Sequence, residues 1–518
     1  MAEQLDVLLI TIDQWRADSL SCDGHPCAST PNIDALASRG VRFTQHYAQC
    51  APCGPSRASL LTGTYLHVHR SVGNGTPLDG RLTNLALEMG ALGYEPTLFG
   101  YTDSTVDVRS VDDPDDWRLR SYEGVLPGFR AEVYLPEHLE EWGAWLRERG
   151  YDAPSGGVRD AMYRQRDDVD GVDEHAPTWA PTVYAAEHSE AAFLTERFGE
   201  WLDAQPEDRP LFSHVTFIRP HPPYMAPAPW HDLVDADDAP PPVRHIDPGA
   251  EGAQHELVAG ALLSGLANAP DDDRAMRQIQ ATYWGMLAEV DDQIGRLLDH
   301  LDRSGRAERT LVILTADHGE QLGDHWLLDK LGFFDSSYHV PLVIAGPPVS
   351  ARARGRVVDE FTENIDVMPT ILDLVGSTAG ARIPAQCQGA TLRAFLEGGT
   401  PPRWRDAVHW EWDFRSVGSR DLEESTGLTM AQCNLSVLRD RHGKYVHLAG
   451  LPPAFYDLDD DPDELHNLAS DPAHLQRVLE YAQRLLSWRL SSDDETLAGT
   501  LVTPFGVIAR RDPLVGLG

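Results

Sequence analysis

The stretch Gln49–Gly63 reads Q-C-A-P-C-G-P-S-R-A-S-L-L-T-G, and the rest of the chain is organised around it. Within it Cys53, Pro55 and Arg57 stand in the order C-x-P-x-R, followed by an apolar, helix-prone run from Ala58 to Leu61. A cysteine set in a Gly-Pro turn at the start of a helix has the turn amides and the positive end of the helix beside it, which favours negative charge there. Arg57, one turn along, adds a permanent cation. A buried thiol beside a helix cap is the structural alternative, and the strands on either side of this stretch decide between the two.

Upstream, Val7–Ile12 is a short, fully apolar run that ends at Asp13-Gln14. It reads as a buried parallel strand with polar residues at its carboxyl end, where open α/β sheets bind ligands. Far downstream, Thr310–Leu314 is a second such run, and it leads into Thr315-Ala316-Asp317-His318-Gly319. Two strands of one sheet would then each present a pair at their tips, Asp13-Gln14 and Asp317-His318. Two carboxylates, an amide oxygen and an imidazole suit one divalent cation: manganese, zinc or iron for a mixed oxygen and nitrogen set, calcium where oxygen dominates.

Between and beyond these strands the rhythm is that of βα units. Helices are expected at Pro31–Gly40, Asn84–Leu92 and Tyr184–Leu202, and strands at Val41–Thr44, before Gly100-Tyr101-Thr102-Asp103, at Leu211–Thr216 and at Val340–Ala345. Met276–Leu301 carries the clearest helical stripe and reads as core, with no chemistry attached. Residues 104–181 and 226–273 show no sustained period and are expected to be long covering loops. Ala407–Phe414, Leu435–Leu438, Lys444–Leu448 and Phe455–Leu458 read as a small antiparallel sheet, with Leu475–Trp488 as a helix on it and an aperiodic tail after Leu490 that reaches towards a neighbouring subunit. The expected architecture is α/β: a mixed, mostly parallel central sheet flanked by helices over 1–400, then a smaller α+β domain with an antiparallel sheet over 401–518.

Composition bounds the partners. A formal charge of −38 over 518 residues argues against nucleic-acid binding and against anionic membranes, so an anionic substrate needs local cations. The chain has only two lysines, Lys330 and Lys444. A lysine that persists among so many arginines points to a need for a compact ammonium. The cysteines at 22, 27, 50, 53, 387 and 433 are too scattered for a disulfide framework, and the pairs Cys22/Cys27 and Cys50/Cys53 lack the remaining ligands of a zinc site. With no basic, apolar leader and no apolar run near the ~20 residues of a membrane span, the expected compartment is the cytoplasm.

C-x-P-x-R with the run to Leu61-Thr62-Gly63, the sequence D-H-G-E-Q-L-G-D-H from Asp317 to His325 with Lys330 shortly after, R-P-H-P-P at 219–223, Trp412–Arg415 and Pro452–Leu458 together resemble the type I sulfatases and phosphonate monoester hydrolases of the alkaline phosphatase superfamily. The resemblance spans nearly the whole chain and looks nearest to the phosphonate monoester hydrolases. It implies an alkaline-phosphatase-like sandwich and oxidation of Cys53 to formylglycine, whose hydrate is the nucleophile and a metal ligand beside Asp13, Gln14, Asp317 and His318. It further implies that Arg57 holds the hydrate, that His221 or Lys330 gives a proton to the leaving group, and that Asn74 and Tyr101 bind non-bridging oxygens or shape the pocket. Asp324 and His325 read as structural supports. The implied cofactors are formylglycine and one divalent metal, manganese first among manganese, calcium, zinc and iron. The implied partners are a small anionic ester, a formylglycine-generating enzyme and further copies of the chain in a dimer or tetramer.

The implied activity is hydrolysis of phosphonate monoesters and phosphate diesters, with sulfate and sulfonate esters as side reactions. The alternatives are a sulfatase acting on aryl or choline-type alkyl sulfates, a two-metal phosphatase, and a non-catalytic homologue. A two-metal enzyme needs further His and Asp ligands and usually a Ser or Thr nucleophile, so Cys53 weighs against it. One departure stands out: the family pattern has a threonine two residues after Tyr101, and this chain has Asp103. A carboxylate there would oppose multiply charged substrates.

Overall fold

The strand Asp6–Ile12 is buried along its whole length between two parallel neighbours, Phe212–Phe217 and Thr310–Ala316. Its side chains alternate between two cores, Leu8, Ile10 and Ile12 joining one and Val7 and Leu9 the other. The computed structural model describes residues 4–265, 267–379, 382–417, 427–494 and 496–509. Its main sheet has eight strands in the order Arg130–Tyr134, Pro96–Gly100, Phe212–Phe217, Asp6–Ile12, Thr310–Ala316, Leu342–Ala345, Val41–Phe43 and Arg356–Val358. Every neighbouring pair is parallel except the two made by Leu342–Ala345, which gives the mixed, mostly parallel sheet expected from the sequence.

Helices cover both faces. Pro31–Arg39, Glu140–Glu148, Glu190–Asp203 and Asp273–Arg303 pack on one, and Cys53–Thr62, Leu85–Ala91 and the start of Val367–Ala379 on the other. Cys53–Thr62 is buried on every side, which only a sequence of small and apolar residues with an internally paired arginine tolerates. Gly63 ends it in the left-handed region at φ 68°, and a Cβ there would sit 3.0 Å from the Cys387 sulfur.

Four segments depart from the expectations. Residues 104–181 include an edge strand, Arg130–Tyr134, and the helices Glu140–Glu148 and Val158–Met162. The strand buries only Val133, so it carries no apolar run to read, and the first helix signals its face through Trp142, Trp145 and Leu146 over little more than a turn. Residues 226–273 likewise contain Pro248–Gly252 and Glu256–Ser264. The helix expected from Tyr184 starts at Glu190, where Ser189 caps it by accepting from the Ala192 amide. In the tail, Thr500–Thr503 and Gly506–Ala509 form a hairpin; its final residues, 510–518, lie outside the described part.

The small sheet is an antiparallel meander of Ala407–Asp413, Asn434–Asp440, Gly443–Leu448 and Ala454–Asp457. Leu438, Tyr445 and Phe455 on one face meet Tyr481, Leu485 and Trp488 of the helix Leu475–Ser491. Trp410, Val437, Val446 and Tyr456 on the other meet Tyr47, Phe333 and Tyr338 of the large part. Lys444 is fully buried there, donating to Asp335 at 3.1 Å and to Glu464, a structural ion cluster. Glu411 reaches the Cys53 region: its amide donates to Gln49 O at 2.9 Å and its carboxylate accepts from the His67 amide and ring.

Glu289, on the long helix Asp273–Arg303, is 2 % exposed and has one carboxylate oxygen with no hydrogen-bond partner. Burial, with Glu190 nearby, pushes its pKa up to about 8. The folded value lies above the unfolded one, so its contribution to stability is fully present below about pH 4.5 and is lost as pH rises through about 8. Glu289→Gln should therefore gain on the wild type between pH 5 and pH 9, by roughly 2–4 kcal/mol in urea unfolding; a pH-independent difference refutes the assignment.

Candidate active site

The register of the two central strands sets the site. Ile12 lies opposite Ala316, so Asp13 and Asp317 leave the sheet side by side at its carboxyl edge. The amides of Gln14 and His318 both donate to Asp317 Oδ1, at 3.2 and 2.9 Å. Gln14 takes a left-handed backbone, φ 71°, an unfavourable conformation for a residue with a side chain, held here by Tyr283, whose hydroxyl donates to Gln14 O at 2.8 Å. The long helix thus contributes to the site through one tyrosine, which its reading as core alone missed.

Cys53 opens its helix against this edge. Its sulfur is 3.2 Å from His318 Nε2 and 3.7 Å from Asp13 Oδ1. Asp13, Cys53, Asp317 and His318 each place a donor atom within 4.8 Å of the others, all four residues buried. Gly54 fits because nothing larger would: a Cβ there would lie 2.9 Å from Asp103 O and 3.1 Å from Asn74 Oδ1. Its amide donates to Asn74 Oδ1 at 2.9 Å, which fixes Asn74 beside Cys53.

Arg57 holds the outer oxygens of both carboxylates. Nε donates to Asp317 Oδ2 at 2.9 Å and Nη2 to Asp13 Oδ2 at 3.1 Å, while Nη1 reaches Tyr101 O at 3.2 Å and the guanidinium lies 4.3 Å over the Tyr101 ring. Tyr101 adds its hydroxyl to Asp13 Oδ2 at 2.7 Å. Both residues therefore orient the carboxylates, and Tyr101 also lines the pocket. Asp13 and Asp317 are left with Oδ1 facing Cys53 and His318.

On the other flank, Lys330 Nζ donates to Gln14 Oε1 at 3.0 Å, lies 3.0 Å from His221 Nε2 and pairs with Asp329 at 3.2 Å. His221 Nδ1 donates to Pro222 O at 2.8 Å, so Nε2 is the acceptor. Burial, followed by Lys330, pulls His221 down to about 4. Burial pulls Lys330 down too, but the interaction with Cys53 and the carboxylates of Asp329 and Asp13 hold it well above its ordinary value. Glu320, which the motif reading passed over, accepts from Gln14 Nε2, from Leu322 N at 2.8 Å and from Asp329 N at 2.5 Å. It fixes the Gln14 amide with its oxygen towards Lys330 and ties down the loop that carries Lys330. Asp324 and His325 are braces: Asp324 takes Arg16 at 2.8 Å, and His325 bonds Glu251 at 2.9 Å and stacks on Phe334.

The residues fit a divalent cation. His318 Nδ1 donates to Gly319 O at 2.9 Å, which leaves the Nε2 lone pair turned to Asp13 and Cys53, the tautomer a metal needs. Two carboxylate oxygens and one imidazole nitrogen converge, with Gln14 Oε1 on the Lys330 side of them. The Cys53 sulfur stands beside these groups, on the pocket side of the cluster. Burial, then Asp13, pushes this thiol well up, the reverse of what a helix N-terminus alone suggested, because the carboxylates outweigh the helix end.

The pocket in front of Cys53 is lined by Asn74, Tyr101, Asp103 and His221, and farther out by Tyr122, Glu123, Glu137, Arg159 and Tyr163. Asp103 does face it; the outer residues come from the stretch read as a covering loop and were not found in the sequence. Cys22 and Cys27 join no group of metal-ligating side chains among the described residues.

A profile of the sulfatase family matches residues 6–377, and one described as N-sulphoglucosamine sulphohydrolase, C-terminal, matches 323–491. The chain is 40% identical over 521 residues to the multifunctional alkaline phosphatase superfamily protein PehA of Trinickia caryophylli, covering 98% of this chain and 99% of that one. It superposes on the phosphonate monoester hydrolase of Agrobacterium radiobacter with TM-score 0.92 and 45% identity over 98% of this chain and 100% of the other. The phosphonate monoester hydrolase SpPMH from Silicibacter pomeroyi gives 0.90 and 37%, over 98% and 99%.

The buried bridge makes a sharp expectation. Arg57→Gln removes the cation that bridges the two carboxylates and should cost the metal-free protein about 3–5 kcal/mol. Urea unfolding in the presence of a chelator measures it, and a loss under about 1 kcal/mol would contradict the bridge's importance.

Proposed function

The chain belongs to the sulfatase family of ester hydrolases, and from that membership and the site geometry we propose that it hydrolyses phosphonate monoesters and phosphate diesters, with sulfate and sulfonate esters as slower substrates. The observation that carries this reading is the convergence of Asp13, Asp317 and His318 on Cys53. The two phosphonate monoester hydrolases, similar over almost the full chain, support phosphorus over sulfur.

A divalent cation held by Asp13, Gln14, Asp317 and His318 would supply Lewis acidity and lower the pKa of a bound hydroxyl. Its donor set mixes carboxylates and an amide with one imidazole, which favours manganese, ahead of calcium, zinc or iron. Formylglycine at position 53, made by a maturing enzyme, would supply two geminal hydroxyls, one to attack and one to release the product. The chain's own residues do the rest. Arg57 and Tyr101 keep Asp13 and Asp317 aligned. Lys330 brings an ammonium to the anionic centre, and one proton held between Lys330 Nζ and His221 Nε2 serves the leaving oxygen. Asn74 shapes the pocket beside the nucleophile.

We also read the chain as two domains, 1–400 and 401–518, with the antiparallel sheet beginning at Ala407. A homo-oligomer, dimer or tetramer, accords with the exposed hairpin tip, where Val502 and Phe505 are 79 and 100 % exposed. None of the six cysteines is joined in a disulfide, which suits the cytoplasm, and no described helix is long and apolar enough to cross a membrane.

Protein produced with a maturing enzyme should show a loss of ~18 Da on the peptide containing Cys53; full activity from an unmodified thiol would end the formylglycine assignment. Rates on an aryl phosphonate monoester, an aryl phosphate diester and an aryl sulfate should fall in that order of class, sulfate last. Lys330→Ala should cut kcat/KM on the diester by about 10²–10³ while metal content stays unchanged; loss of the metal instead would assign Lys330 to holding Gln14.

A further inference from the structure

The pocket wall facing Cys53 carries charge that the hydrolytic groups do not use. Asp103 is 5 % exposed, with a left-handed backbone at φ 51°, and its Oδ1 has no hydrogen-bond partner. Its other oxygen lies 3.8 Å from Arg57 Nε, on a guanidinium whose N–H groups already reach Asp13, Asp317 and Tyr101. Glu123, 7 % exposed, accepts from the Glu137 amide, while the Glu137 carboxylate is paired with Arg159. A buried carboxylate oxygen without a donor is costly, and a ligand that brings one recovers that cost as affinity. Burial pushes Asp103 well up against the pull of Arg57, and burial pushes Glu123 up to about 7, so a cation entering beside them is what would hold both in the ionised form. The ring of Tyr122 lines the same wall and suits a cation, whereas the Tyr163 ring already carries the Arg219 guanidinium at 4.3 Å. The segment from Asp103 to Glu123 holds seven acidic residues against three arginines, which extends the same sign of field to the pocket mouth.

We propose that Asp103 and Glu123 form a cation subsite for an alkylammonium group on the organic arm of the ester, so that the preferred substrates are zwitterions with one anionic tetrahedral centre and one ammonium. The position of the tetrahedral centre, at Cys53, rests on the hydrolase reading above. An arm ending in a carboxylate meets Asp103 and Glu123 as like charges and is rejected.

The test uses the matured, metal-loaded enzyme and aryl phosphate diesters with one constant leaving group and a 2-aminoethyl, ethyl or 2-carboxyethyl arm. The expected order of kcat/KM is aminoethyl, ethyl, carboxyethyl, with at least about tenfold between the ends. Asp103→Asn should shrink that ratio at least about fivefold, and Glu123→Gln should shrink it less. Calorimetric binding of the three corresponding alkylphosphonate methyl esters gives a ranking independent of turnover. Equal ranking of the arms, or a ratio untouched by Asp103→Asn, overturns the subsite while leaving hydrolysis of the ethyl ester in place. The expected ranking in binding upholds the subsite, and if no diester is turned over it is the hydrolase reading alone that fails.

Discussion

One guanidinium between two carboxylates is the constraint on which the rest depends. Asp13 and Asp317 come from strands some 300 positions apart and leave the sheet as neighbours. Unscreened, their repulsion in a dry interior would separate them. Arg57 takes the outer oxygen of each, so the same interaction that makes the pair tolerable also turns the two inner oxygens towards Cys53 and His318. This is why Arg57 can be fully buried on a helix with no solvent-facing side, and why a lysine would not serve: only a planar fork meets two carboxylates and a carbonyl at once.

Around that bridge the site divides by function. Tyr101 fixes the orientation of Asp13, and Tyr283 and Glu320 fix that of Gln14 from two sides. The small sheet supports the other side, with Glu411 fastening the strand before Cys53 and the turn after its helix. The second lysine, Lys444, answers to the same rule of scarcity as Lys330 but in a different setting, since its ammonium neutralises buried carboxylates far from the pocket. Scarcity of a residue type therefore marks a need for its chemistry without saying whether that need is catalytic.

The pocket shows where charge has been left open. The metal end concentrates positive groups against an otherwise acidic chain, whereas the opposite wall keeps Asp103 and Glu123 largely uncompensated. A family scaffold that handles one tetrahedral anion is thereby given a second electrostatic condition, set by the arm of the ester and not by its centre. The cluster at Cys53 sets the first condition, and Asp103 on the facing wall supplies the second.

The amino-acid order alone determined the sheet's central strands, the two pairs at their tips, the Cys53 turn and the four short strands after residue 400, because apolar runs and turn residues report local burial directly. It also marked His221 and Lys330. It did not disclose the edge strand Arg130–Tyr134, the outer pocket wall or the terminal hairpin, whose short or exposed segments carry no period to read. The contacts needed the fold: that Arg57 and Tyr101 face Asp13 and Asp317, that Glu320 orients Gln14, and that the Cys53 thiol is disfavoured as a thiolate follow from distances and burial among residues remote in sequence. Such pair energies depend on separation in space, which only the folded chain defines.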